Sequence, residues 1–213
     1  MLLSFSDSLL SSVVLSGTEQ AWSVAQSADL YGLERWGEPY FSINAKGHVV
    51  VQPRGDRGGS LDLVELLQGL KARDLSTPIL IRFDDILEDR LERLHAAFER
   101  AIAHYAYDAG YQGVFPIKCN QQRHVVEHLV DRGNRWNFGL EAGSKAELLI
   151  ALSLTRNPDA LLICNGYKDC RYIETAILAR RLGHQPMVVI EQADDCLLYT
   201  SDAADERNIV DGG

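Results

Sequence analysis

Phe115-Pro116-Ile117-Lys118-Cys119-Asn120-Gln121 is the stretch on which the reading of this chain turns. Val114–Ile117 reads as a short apolar strand, the polar residues after it as a turn, and Gln122 to about Asp131, closed by Gly133, as a helix. The lysine therefore stands where a strand hands over to a helix. Most lysines at a strand end merely reach for water. Held against an apolar floor at the mouth of a site, though, an amine can lose its proton near neutral pH and condense with a carbonyl, as a Schiff-base lysine must.

The same strand–helix unit recurs on both sides. Pro78–Phe83 is predicted as a strand and Asp85 to about Tyr105 as its helix. Downstream come Phe138–Leu140 with Ser144–Leu154, then Leu161–Cys164 with Asp169–Leu182 closed by Gly183, and a fifth strand at Met187–Ile190. Strand then helix, joined by short connections, predicts a parallel sheet, as an open doubly wound sheet or a (β/α)8 barrel. Either architecture places chemistry at the carboxyl ends of the strands. Lys118, Glu141, Asn165 and Glu191 follow four consecutive strands and so share one rim. Before this array, Tyr40–Val51 alternates around Asn44-Ala45-Lys46-Gly47 as a hairpin, and Leu61–Arg73 has helical periodicity.

Composition narrows the function classes. The 213 residues and 46% hydrophobic content support a sizeable core. A net charge of -9 argues against nucleic acid or an anionic membrane as partner. No run is long enough to span a bilayer, and Met1–Gly17 lacks the basic start of a signal peptide. Cys119, Cys164, Cys170 and Cys196 form no CxxC pair, which suits a reducing cytoplasm. Cys164 and Cys170 read as buried or neutral thiols.

Several segments, taken in order, resemble the N-terminal part of the biosynthetic arginine decarboxylases, a pyridoxal-phosphate family of the alanine racemase-like barrel class. They are Leu30-Tyr31-Gly32 with Trp36-Gly37, Tyr40–Asn44, Pro116–Gln121, Gly139–Glu147 and Cys164–Asp169. The resemblance covers about Trp22 to Asp195, with Cys119 as a departure where an apolar residue is expected. It implies a partial (β/α)8 barrel of about five βα units over 61–195, behind a β-hairpin region at 22–60. It implies pyridoxal 5'-phosphate as cofactor, with Lys118 as the residue that holds it and Glu141 and Glu147 as acidic neighbours. The implied reaction converts L-arginine to agmatine and carbon dioxide for polyamine synthesis. Magnesium and a homo-oligomer of the full-length enzyme are implied by the resemblance alone.

Plainer readings stand beside these. Ser144-Lys145-Ala146-Glu147 is also a capping box for the third helix. Asn165-Gly166 is also a turn with one residue in the left-handed region. His124-Val125-Val126-Glu127-His128 matches the inverted zinc-peptidase signature, but the sequence offers no further ligand helix, so helix-surface histidines and no metal site are expected.

A closed barrel needs eight strands and about 250 residues. Five strands, no glycine-rich phosphate loop and no partner for the pyridine nitrogen lead to the expectation of a fragment inactive alone. Residues 1–21 read as a disordered leader, and 196–213 as a non-native tail resembling translated adapter sequence. The alternatives are a non-catalytic pyridoxal-phosphate-binding or regulatory relative, and a decarboxylase of another basic amino acid.

Overall fold

The computed structural model describes residues 21–193 and Asp195; the expected leader and tail lie outside the described residues, apart from Ala21. The chain divides between Thr77 and Pro78 into two compact units.

In the first unit, α1 (Val24–Leu30) begins at a reciprocal capping box. Ser23 accepts from the Gln26 N–H while the Gln26 side chain accepts from the Ser23 N–H. A single turn, α2 (Leu33–Trp36), leads into the predicted hairpin of β1 (Phe41–Ile43) and β2 (Val49–Val51). Asn44 closes its turn, accepting from the N–H groups of Lys46 and His48, and Gly47 supplies the positive φ of 79°. β3 (Leu61–Asp62) adds to the other side of β2 and runs straight into α3 (Leu63–Lys71).

Asp62 ties hairpin to helix. One carboxylate oxygen caps α3 at the Val64 and Glu65 N–H groups, and the other meets His48 Nδ1 and Asn44 Nδ2, both at 2.8 Å. Burial alone would raise this carboxyl. The hydrogen bonds from His48, Glu65, Asn44 and Val64 outweigh it and bring the group down to about 2.

The second unit is a four-stranded parallel sheet in the order β4 (Val114–Pro116), β5 (Gly139–Ala142), β6 (Leu161–Cys164) and β7 (Gln185–Val188). Helix α4 (Asp84–Tyr105) precedes it; α5 (Arg123–Gly133), α6 (Lys145–Leu154) and α7 (Cys170–Arg181) follow the first three strands. This is the βα alternation of a partial barrel. β5 is buried along its whole length, with Leu140 and Ala142 fully enclosed. Its core joins Leu140 and Leu162 to Val126 on α5, Leu148 and Ala151 on α6, and Ile173 and Ala176 on α7. Each such Leu or Ile contributes about 1.5–3 kcal/mol when removed from water.

Two glycines, one on β5 and one at the end of α5, answer to space. A Cβ on Gly139 would lie 1.9 Å from the Leu161 carbonyl oxygen, and one on Gly133 2.5 Å from Phe138 Cβ. α5 ends at Gly133, where the sequence reading closed it, but Gly133 keeps a helical φ of -76°. The chain turns once more through Asn134–Trp136, and Asn137 takes the left-handed φ of 53°.

The strand expectations need two corrections. Pro78–Phe83 forms no ladder among the described residues, so four paired strands stand where five were predicted. Ile79, Ile81 and Phe83 are half-buried and alternate with exposed Leu80 and Arg82. The period of two is real, but periodicity reports a buried face and not a neighbour to pair with. The last strand is Gln185–Val188 rather than Met187–Ile190. It begins two residues early because its register is set by β6, Leu161 opposite Gln185 through Cys164 opposite Val188.

Candidate active site

Backbone connectivity brings the carboxyl ends of all four strands to one rim. Lys118 sits in a tight turn, Ile117–Cys119, that closes β4 before α5 begins. Ile117 is fully buried and anchors the turn, whereas the Lys118 side chain is 60% exposed. The predicted apolar floor is therefore replaced by a charge. Lys118 Nζ lies 3.7 Å from Oε1 of Glu141, which is the third residue of β5 rather than a residue following it.

Glu141 is the anomaly of this rim. Its side chain is only 9% exposed, and neither carboxylate oxygen has a hydrogen-bond partner among the described residues. A buried carboxylate normally gathers two or more donors. One left with only an exposed amine nearby has acceptor capacity free for another molecule.

Glu147 is engaged differently. The Ser144 hydroxyl accepts from its N–H at 3.3 Å, which is half of the expected capping box. The other half is displaced by one residue, because Glu147 Oε2 accepts from the Gly143 N–H at 2.7 Å rather than from Ser144. Glu147 Oε1 accepts from Gln121 Nε2 at 3.4 Å. Glu147 thus links the Lys118 turn to the turn after β5.

The other two rim residues also meet. Asn165 directs its side chain to the Gly166 N–H, and Gly166 takes the expected left-handed conformation with φ +73°. That N–H also faces Glu191 Oε1 at 3.4 Å. A Cβ on Gly166 would sit 2.3 Å from the Gly143 carbonyl oxygen, so the loops after β5 and β6 touch backbone to backbone.

Beneath the rim, Tyr172 donates to the Ala142 carbonyl at 2.9 Å. Burial pushes its phenol upward, and burial likewise takes the Cys164 thiol up to about 11. Cys164 is the buried neutral thiol expected. Cys119 is exposed, and so is Cys170 at the first position of α7, which corrects the expectation that it is buried; Cys196 lies outside the described residues.

His124 is exposed on α5, Glu127 pairs with Arg123 at 2.8 Å, and His128 is half-buried. Among the described residues no three His, Cys, Asp or Glu side chains converge. Magnesium keeps the support of the family resemblance only. No helix among the described residues is long and apolar enough to cross a membrane.

Sequence reasoning missed Lys168 and Asp195. Lys168 is fully buried, donates to the Gly166 carbonyl at 2.6 Å and lies 3.4 Å from Asp195 Oδ2. The only signal was that Lys168 falls inside one of the family-like segments, where it reads as an ordinary loop lysine.

A sequence profile of the family described as pyridoxal-dependent decarboxylase, pyridoxal binding domain, matches residues 88–202. The chain belongs to this family. Similar proteins include the biosynthetic arginine decarboxylase of Synechococcus sp. (strain RCC307), 77% identical over 177 residues, and that of Nostoc sp. (strain PCC 7120), 61% identical over 176. The first match takes in 83% of this chain and 28% of the relative, the second 83% and 26%. The chain thus spans little more than a quarter of the length of these relatives. The crystal structure of the biosynthetic arginine decarboxylase from Campylobacter jejuni superposes with a TM-score of 0.75 at 30% identity, over 82% of this chain and 29% of that one. In this decarboxylase-family chain the partial barrel expected from sequence is the fold observed.

Proposed function

We propose that the chain is part of a pyridoxal-phosphate-dependent arginine decarboxylase, with Lys118 as the residue that holds the cofactor. The observation that carries this reading is the pairing of an accessible Lys118 amine with the buried carboxylate of Glu141, 3.7 Å away at the carboxyl rim and without a hydrogen bond among the described residues. The donor set suits the group: an amine for its aldehyde, and an acceptor held ready beside that amine. When bound, pyridoxal phosphate supplies the electron sink that takes up charge as carbon dioxide leaves the substrate.

The protein's share is orientation and electrostatics. Lys118, on a turn anchored by Ile117, has the freedom to swing between the cofactor position and solvent. Glu141 holds the amine on the side of β5 and offers its free oxygens to a cationic or N–H-bearing group. Glu147 stands near the cofactor as a brace, because one of its oxygens holds Gln121 after the Lys118 turn and the other the turn after β5. Arginine as substrate follows the activity named for the relatives. A cytoplasmic home and homo-oligomeric assembly of the whole enzyme belong to the same reading.

Titrating the purified chain with pyridoxal phosphate tests it. A visible absorbance band is expected that vanishes in Lys118→Ala and responds to arginine more strongly than to lysine or ornithine. A band that survives Lys118→Ala would remove Lys118 from its role, and one that responds better to ornithine would change the substrate.

A further inference from the structure

Lys168 has no place in the chemistry above, yet it is the one lysine whose side chain is wholly enclosed among the described ion pairs. An ammonium taken out of water must find acceptors, or the fold is penalised. Lys168 finds them on two different loops. It donates to the Gly166 carbonyl in its own loop after β6, and meets Asp195 beyond β7. The same Asp195 oxygen accepts from the N–H groups of Glu191 and Gln192 at 3.1 and 3.2 Å. Those contacts, the Glu191 N–H first, hold the Asp195 carboxyl below its ordinary range even though burial opposes them.

Gly166 is in turn held from the other side. A Cβ on it would lie 2.3 Å from the Gly143 carbonyl oxygen, the adjacent Asn165 N–H donates to the Ala142 carbonyl at 2.8 Å, and its own N–H faces Glu191. The buried charge therefore ties the loop after β6 to the segment after β7, and the close approach of Gly166 to Gly143 joins that loop to the turn after β5. The tie crosses from the turn after β5, which Glu147 and Gln121 connect to the Lys118 turn, through the loop after β6 to the segment after β7.

We propose that Lys168 is a positioning residue: with Asp195 it clamps the loops after β6 and β7 against the turn after β5, and so fixes the rim that receives the cofactor. The cofactor part of this inference rests on the reading of Lys118 given above. The clamp itself does not.

Lys168→Met keeps the unbranched side chain to within one atom of its length and removes its charge. Hydrogen exchange on the full chain is expected to speed up at Gly166, Glu191 and Gln192 while the sheet amides of Leu140 and Leu162 stay protected. Affinity for pyridoxal phosphate, read from the Lys118-dependent band, is expected to fall about tenfold, the size of one lost charged hydrogen bond. Should Lys168→Met fail to fold with its carboxylate left unpaired, the double variant with Asp195→Asn removes both charges and carries the same comparison. Unchanged exchange at the three rim amides, or acceleration spread evenly through the sheet, overturns the clamp. Loosened rim amides with unchanged cofactor affinity overturn its positioning role. If the wild-type chain shows no Lys118-dependent band, the cofactor reading fails by itself, and the exchange pattern still decides the clamp.

Discussion

Two places on one rim handle a buried charge in opposite ways. Between β6 and β7, Lys168 is enclosed with Asp195 and a carbonyl, and the carboxylate in turn collects two backbone donors. Between β4 and β5, Glu141 is nearly as buried but holds no hydrogen bond among the described residues, and the charge it pairs with at 3.7 Å is an exposed lysine. Satisfied groups stiffen a structure; an unsatisfied one costs stability and is retained where something else is to bind. The first arrangement is a brace, the second an opening.

The largest effect expected from testing this contrast is at Gly166. Gly166→Ala imposes a left-handed alanine and a clash with the Gly143 carbonyl, and should lower stability by about 3 kcal/mol in urea denaturation. A loss under 1 kcal/mol would mean that the loops are not braced backbone to backbone.

Glu141→Gln should act in the reverse sense on the opening. Removing a buried, unsatisfied charge leaves stability unchanged or higher by up to about 1 kcal/mol, while cofactor affinity drops about tenfold. If the variant is clearly less stable, Glu141 is part of the brace and the comparison fails. Tyr172→Phe, which deletes the donor to Ala142 under both places, should cost about 1 kcal/mol, measured by the same denaturation.

The gentlest test lies at the other end of the sheet. His95 is buried, stacked on Trp136 at 4.5 Å, with Nε2 unpartnered among the described residues. Burial draws its imidazole below the ordinary 6.5, against the pull of Glu99 and with the help of Arg135. Between 6.5 and that lower value the unfolded chain binds a proton that the folded chain does not. Stability should be complete above this window and decline as pH falls through it. His95→Phe should flatten the decline, and an unaltered slope would show that another group is responsible.

What the sequence alone determined here is local. Short apolar runs marked four of the five predicted strands, the last of them two residues out of place, and Asn44 with Gly47 marked the hairpin, because side-chain period and turn chemistry are properties of neighbouring residues. Lys118 was legible for the same reason: a strand end and a helix start are both visible around it.

Tertiary structure decided what depends on partners distant in the chain. Pro78–Phe83 carries the period of a strand but is paired with nothing described, and β7 starts where β6 dictates. Glu147 reaches Gly143 and Gln121 instead of closing its own box. Lys168 meets Asp195 across 27 residues. Pairing, burial and charge compensation arise only when separate segments are brought together, so no window of sequence contains them.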